Sequence, residues 1–370
     1  MSVFIKVKDL SVYFFIMMCI IIYAIPDFIQ LPFRLILLLS LTGYYFYVNY
    51  ARITFLQLFT IIFMVGMLLY KLAMHSFDFS LLMIFLSIIP IMSVKYYTFT
   101  NQHIGLLRKW LYFFIITIIF QLMVYRYEGR PNLSYEINQS GSYLFLFFLL
   151  CDVLKFNFGK FVILIASFLL LSRLLILSII LFYVISFLQR KWMGTFINRL
   201  SYTRLIVLSN ILIILFSFWF LVTFSGSALG GTDSIERLTN VVDGSNYVRF
   251  KINTEIVLRL LTKDETLLFI GYGDLASSKD YLNDFDLMPH NELMKAIAQL
   301  GLLTTVFFFL ISKKVFSSFI DKTTIVYFIP IVLYTLILWV RFTIVPSFEM
   351  VFILFIFLLK QQSSTFTLSK

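Results

Sequence analysis

Apolar residues run along this chain in long blocks, parted at short intervals by small clusters of charge. A hydrocarbon core about 30 Å thick requires about 20 apolar residues per helix. Blocks of that kind fall near 10–25, 31–48, 54–74, 79–94, 107–125, 141–154, 159–172, 174–189, 205–226, 292–312, 324–340 and 346–360, and they predict twelve transmembrane helices. The run from Phe161 to Leu188 fits one tilted helix or two short ones. An arginine in mid-membrane is costly, so the run is divided at Ser172 and Arg173, which brings Arg173 to an aqueous edge. The first block lacks the small-residue exit of a signal peptide and is expected to remain as a helix.

One segment breaks the pattern. The chain divides into 1–226, with nine predicted helices, a polar loop over 227–290, and 291–370, with three more. The loop opens on the turn-rich stretch Gly226 to Asp233. Val248, Ile252, Ile256, Val257, Leu260 and Leu261 then recur at helical spacing and predict an amphipathic helix lying against the membrane surface. An apolar run from Leu267 to Ile270 closes on Gly271-Tyr-Gly273, read as a turn because a nucleotide fingerprint would need a third glycine. Asp280, Asp284 and Asp286 follow in a solvated stretch. Pro289-His290-Asn291-Glu292 opens the next helix, with Asn291 as N-cap and Glu292 in the first turn.

Composition narrows the class. With 61% hydrophobic and 13% charged residues, no single soluble core of this length hides the apolar surface. The net charge of +11 sits in short loops rather than along a basic stripe, so it reads as a topology signal and not as nucleic-acid binding. With the N-terminus inside, the interior loops collect most lysines and arginines and only Asp9, Asp152 and Asp321 among the acids. The positive-inside rule then puts 227–290 outside. Cys19 and Cys151 lie within apolar runs, so no disulfide is indicated. His75 and His103 fall on opposite sides, so no metal-ligand cluster is expected.

Three stretches resemble the O-antigen polymerase/ligase superfamily of bacterial inner-membrane glycan enzymes. Phe269-Ile-Gly-Tyr-Gly273, followed by His290-Asn-Glu-Leu-Met-Lys-Ala-Ile-Ala-Gln-Leu-Gly301-Leu-Leu, is similar to the family's glycine turn and its His-Asn entry into a helix. Leu171-Ser172-Arg173 resembles its Ser-Arg motif, and Ser245-Asn-Tyr-Val-Arg249 its loop arginine. The likeness covers the C-terminal half. Leu174 and Asn253 depart from the family pattern, and the second departure leaves Lys251 and Arg259 as alternatives to Arg249.

The resemblance implies an all-α, GT-C-like enzyme of the bacterial inner membrane with its site facing the periplasm. It would use an undecaprenyl-pyrophosphate-linked oligosaccharide among membrane lipids, with a chain-length regulator as candidate partner and neither cofactor nor metal. Arg173 and Arg249 would grip the diphosphate with bidentate, permanently charged donors. His290, kept neutral by the helix terminus, would take the acceptor hydroxyl's proton. Asn291, Tyr247, Lys251, Arg259, Tyr272, Arg126, Arg130 and Arg341 are candidate substrate contacts. Each has a plainer alternative: Arg173 as a headgroup anchor, Arg249 as the solvated face of a helix or a lipid contact, and His290 as an interfacial polar residue. A repeat-unit polymerase is the preferred expectation, an O-antigen ligase the nearest rival. A lipid-linked sugar flippase comes third, because the predicted spans are almost free of the midplane charges that transport uses.

Overall fold

The computed structural model of the protein describes residues 7–49, 54–73, 79–127, 130–133, 137–191, 194–197, 199–224, 244–273, 289–338 and 340–366. Asp280, Asp284 and Asp286, the turn-rich stretch from Gly226, and His75 lie outside the described residues.

The described chain is helical apart from a two-residue ladder in which Arg126–Tyr127 pairs antiparallel with Arg130–Pro131. The helices are α1 (Val7–Ala24), α2 (Asp27–Asn49), α3 (Phe55–Ala73), α4 (Phe79–Ser93), α5 (Asn101–Val124), α6 (Ile137–Val153), α7 (Asn157–Leu169), α8 (Arg173–Lys191), α9 (Gly194–Ile197), α10 (Tyr202–Phe224), α11 (Gly244–Leu261), α12 (Glu265–Phe269), α13 (Glu292–Leu300), α14 (Leu302–Phe316), α15 (Ile325–Ile337) and α16 (Phe348–Phe366). Among them, Ile29–Phe46, Asn101–Val124, Arg173–Lys191 and Tyr202–Thr223 are long and apolar enough to cross a membrane. Others are shorter: the thirteen residues of α7 or of α15 rise only about 20 Å. These helices mark the chain as a membrane protein.

Burial explains the layering. From Leu144 to Cys151 every side chain of α6 is buried, and α16 is buried from Met350 to Leu359. Helices apolar all round belong at the centre of a bundle. On the outer helices the apolar faces point outward: Ile62 on α3, Ile116 on α5, Leu215 on α10 and Leu177 on α8 are all exposed. So much exposed apolar surface is stable only against hydrocarbon.

Local chemistry sets the breaks. Leu171 takes a left-handed backbone (φ 49°) between α7 and α8, so the long apolar run is two helices that part at Ser172, as the cost of burying Arg173 predicts. Thr100 and His103 form a reciprocal capping box at the head of α5, a structural use for that histidine. The predicted helix over 292–312 is corrected: Gly301 (φ 81°) divides it into α13 and α14.

The helix ends gather at two poles. At the lower pole Gln189 donates to the Lys322 carbonyl, Gln361 to Asp321 and Gln362 to the Tyr97 carbonyl. At the upper pole Gln121 donates to the Ala24 carbonyl, and buried Lys71 donates to the Gly271 carbonyl at 3.2 Å. The described part of the polar loop, 244–273, packs at this upper pole.

Candidate functional site

The amphipathic helix is present as α11, but its apolar stripe is closed by protein rather than by a bilayer surface. Ile252 and Ile256 are fully buried against Met294, Ile297 and Ala298 of α13. Phe250 packs on Phe216 and Phe220 of α10, with ring centroids 5.3 and 4.8 Å apart. Leu261, at the end of the helix, stays exposed. Since α13 begins at Glu292, this packing brings the loop helix over the segment that carries His290.

His290 is partly buried at the entry to α13. Burial holds its imidazole down, and the charges of Arg249 and Lys295 lower it further, to a pKa of about 4. The ring is therefore neutral at physiological pH. The helix terminus is not needed to explain this; desolvation and two cations suffice. Arg249 and Lys295, the latter singled out by no motif, are thus both within electrostatic reach of His290.

Asn291 caps α13 by accepting the Met294 N–H at 3.0 Å, and its amide donates to Asn210 Oδ1 (3.2 Å) and to the Leu336 carbonyl (3.3 Å). It is fully buried, so its polar atoms hold structure together. Glu292 does the same with more force. Its buried carboxylate accepts the successive backbone N–H groups of Thr343, Ile344 and Val345, and the Thr343 hydroxyl at 2.8 Å. Consecutive N–H groups facing one anion form a nest. Arg341, in the same bend, donates to Gln299 at the other end of α13. The bend between α15 and α16 therefore clasps α13 at both ends and fixes the register of His290.

Arg173 heads α8 with its side chain exposed. Helix α15 stands between α8 and α10: Tyr334 faces Ser178 and donates to the Gly141 carbonyl on one side, while Leu336 faces Ser209, Ile213 and Phe216 on the other. Arg173 is thus at the same pole as His290 but across α15 from it. Arg259 pairs with Glu255 at 2.8 Å and bonds Tyr272, whose hydroxyl donates to Asp264; burial and that carboxylate push the Tyr272 phenol up. Arg126 is exposed and donates to the Leu122 and Tyr125 carbonyls at the end of α5. Tyr247 and Lys251 are half-buried on α11, and the backbone of Arg130 lies in the ladder with Arg126.

No family model, no curated protein and no solved structure matches this chain.

Near the ends of the predicted spans, Arg34, Lys71, Glu292 and Glu349 are wholly or partly buried. Arg34 pairs with Glu349 at 2.8 Å, donates to Gln30 and Tyr143, and faces the rings of Tyr23, Tyr143 and Phe348. Arg34 lies only one turn inside the predicted span 31–48, where an arginine also reads as a headgroup anchor, so its sequence position carries no signal of this pairing. Glu349, 315 positions away, carries no local signal. Among the described residues no group of three metal-ligating side chains occurs.

Proposed function

We propose that the protein is a glycosyltransferase of the O-antigen polymerase type, acting on polyprenyl-diphosphate-linked glycans at the outer face of a bacterial inner membrane through twelve passes and an outer loop over 227–290. The observation that carries this is a neutral imidazole, His290, set beside two cations, Arg249 and Lys295. A base must be unprotonated, and a diphosphate leaving group needs positive charge; a bound diphosphate would offset the two cations and raise the basicity of His290 toward the value that proton transfer requires.

In the step proposed, an acceptor hydroxyl gives its proton to His290 as its oxygen bonds to the anomeric carbon of the donor glycan. The bond from that carbon to the diphosphate oxygen breaks, and the diphosphate departs with the electron pair, still on its prenyl carrier. Arg249 and Lys295 hold its charge, and the imidazolium then loses the proton to water. Arg173, across α15, takes no part in this step. An apolar groove of about 550 Å³, lined by Leu212, Ile213, Phe216, Trp219 and Leu336, suits a prenyl chain. Phe216 touches Phe250, the neighbour of Arg249, and the Leu336 carbonyl accepts from Asn291, the neighbour of His290.

A flippase is the second reading, favoured by one observation: the partly buried Arg34–Glu349 ion pair within the helix bundle, since transporters carry paired charges among their helices. Glycan profiles of a deletion strain complemented with His290→Ala or Arg249→Ala separate the possibilities. Single repeats delivered to the lipid A-core without longer chains mean polymerase, and bare core with lipid-linked chains outside means ligase. Lipid-linked repeats trapped inside mean transport.

A further inference from the structure

We propose that the lower pole carries a binding site for the phosphate of an anionic lipid headgroup, built by Lys155, Arg190 and Lys360 around Tyr327.

Asp152 anchors the place. Its Oδ1 accepts from Lys160 at 3.0 Å and its Oδ2 from the Tyr327 hydroxyl at 2.6 Å, so both oxygens are engaged and one cation is neutralised. Lys360, partly buried on α16, holds its ammonium 5.0 Å from the centre of the Tyr327 ring. The Lys155 N–H donates to the Asp152 carbonyl at 3.0 Å, and Arg190 follows Gln189, whose amide donates to the Lys322 carbonyl at this pole; both cations act on Lys360 electrostatically. Among the described residues no acid forms an ion pair with Lys155, Arg190 or Lys360. The next acid at this pole, Asp321, is taken up by Thr323, Thr324 and Gln361. Lys155 and Arg190 are exposed and Lys360 is partly buried, so three like charges at the rim of the bundle make a favourable place for an anion.

The surface beside the cations decides which anion. Phe158 and Phe161 on α7, flanking Lys160, are exposed, as is Phe187 one turn before Arg190 on α8. Charge at a helix end with bare aromatic rings next to it fits a headgroup whose acyl chains lie along α7 and α8; a free phosphate would use only the cations. Arg190 contributes a fork that matches two phosphate oxygens, and the lysines contribute point charges. This site does not depend on the function proposed above.

The test uses the full-length protein in nanodiscs of phosphatidylcholine with and without cardiolipin or phosphatidylglycerol, read by native mass spectrometry of retained lipid and by thermal unfolding. Each of Lys155→Gln, Arg190→Gln and Lys360→Gln is expected to weaken anionic-lipid retention about fivefold, and the triple variant about a hundredfold. The control double variant Lys313→Gln/Lys314→Gln is expected to change it less than about twofold. Wild-type retention in the triple variant, or an equal loss in the control, overturns the site. Stabilisation by inorganic phosphate in pure phosphatidylcholine, equal to that by anionic lipid, overturns the lipid assignment.

Discussion

Gly271 and Gly301 meet back to back. Their φ angles are 66° and 81°, and a Cβ on Gly271 would lie 2.5 Å from the Gly301 nitrogen, while one on Gly301 would lie 2.6 Å from the Ile270 nitrogen. The glycine turn of the loop and the break between α13 and α14 are thus one contact, sealed by the Tyr272 N–H donating to the Ala298 carbonyl at 2.7 Å. Positive φ and backbone on the far side exclude any side chain at either position.

Gly301→Ala or Gly271→Ala should therefore lower stability by about 1–3 kcal/mol or more, seen as earlier thermal unfolding in detergent. Wild-type unfolding in both variants would mean the contact is not tight.

Glu292→Ala leaves three buried N–H groups and a hydroxyl without an acceptor and should cost on the order of 3 kcal/mol. Glu292→Gln keeps the volume and one acceptor oxygen and should fall between Ala and wild type; Thr343→Val, which removes one donor, should cost about 1 kcal/mol. Equal unfolding temperatures for Glu292→Ala and wild type would dissolve the clasp.

The Arg34–Glu349 pair makes a different forecast. Removing one partner (Arg34→Met or Glu349→Gln) strands a buried charge or breaks its bonds and should cost about 3–5 kcal/mol in the first case. The double variant Arg34→Met/Glu349→Leu should recover much of that loss, because a packed apolar pair replaces an ion pair at little cost. Additive losses in a double-mutant cycle would show that the two groups do not interact.

The pH dependence follows from His290. Its folded pKa of about 4 lies below the ordinary imidazole value of about 6.5. Stability from keeping it neutral is complete above the ordinary value and declines as pH falls toward about 4. Chain-extension activity should persist below about pH 6.5 for the same reason. Lys295→Gln removes a cation that disfavours the imidazolium, so its acid limb should move upward, toward about 6.5. A limb that stays in place in that variant would detach Lys295 from the site.

Much of this was legible along the chain, for identifiable reasons. Apolar periodicity reveals α11, and the energetic penalty on Arg173 reveals the join of α7 and α8, since both are properties of local sequence. The Asn291 cap is legible because its partner is three residues away. The break at Gly301 is not, because apolar residues continue on both sides and the φ is imposed by Gly271 from thirty positions earlier. Glu292 resembles an ordinary first-turn acid, yet its partners lie about fifty positions on. Lys295 joins Arg249 and His290 only once α11 has packed on α13.

In the proposed mechanism His290, held neutral beside Arg249, takes a proton during glycan transfer from a lipid diphosphate. Chain extension by the purified protein isolates that step, in proteoliposomes supplied with lipid-linked repeat units and with wild type compared against His290→Asn. The expected loss is at least about a hundredfold, the usual contribution of a general base, with unfolding temperature unchanged. Extension by His290→Asn at the wild-type rate would refute the role.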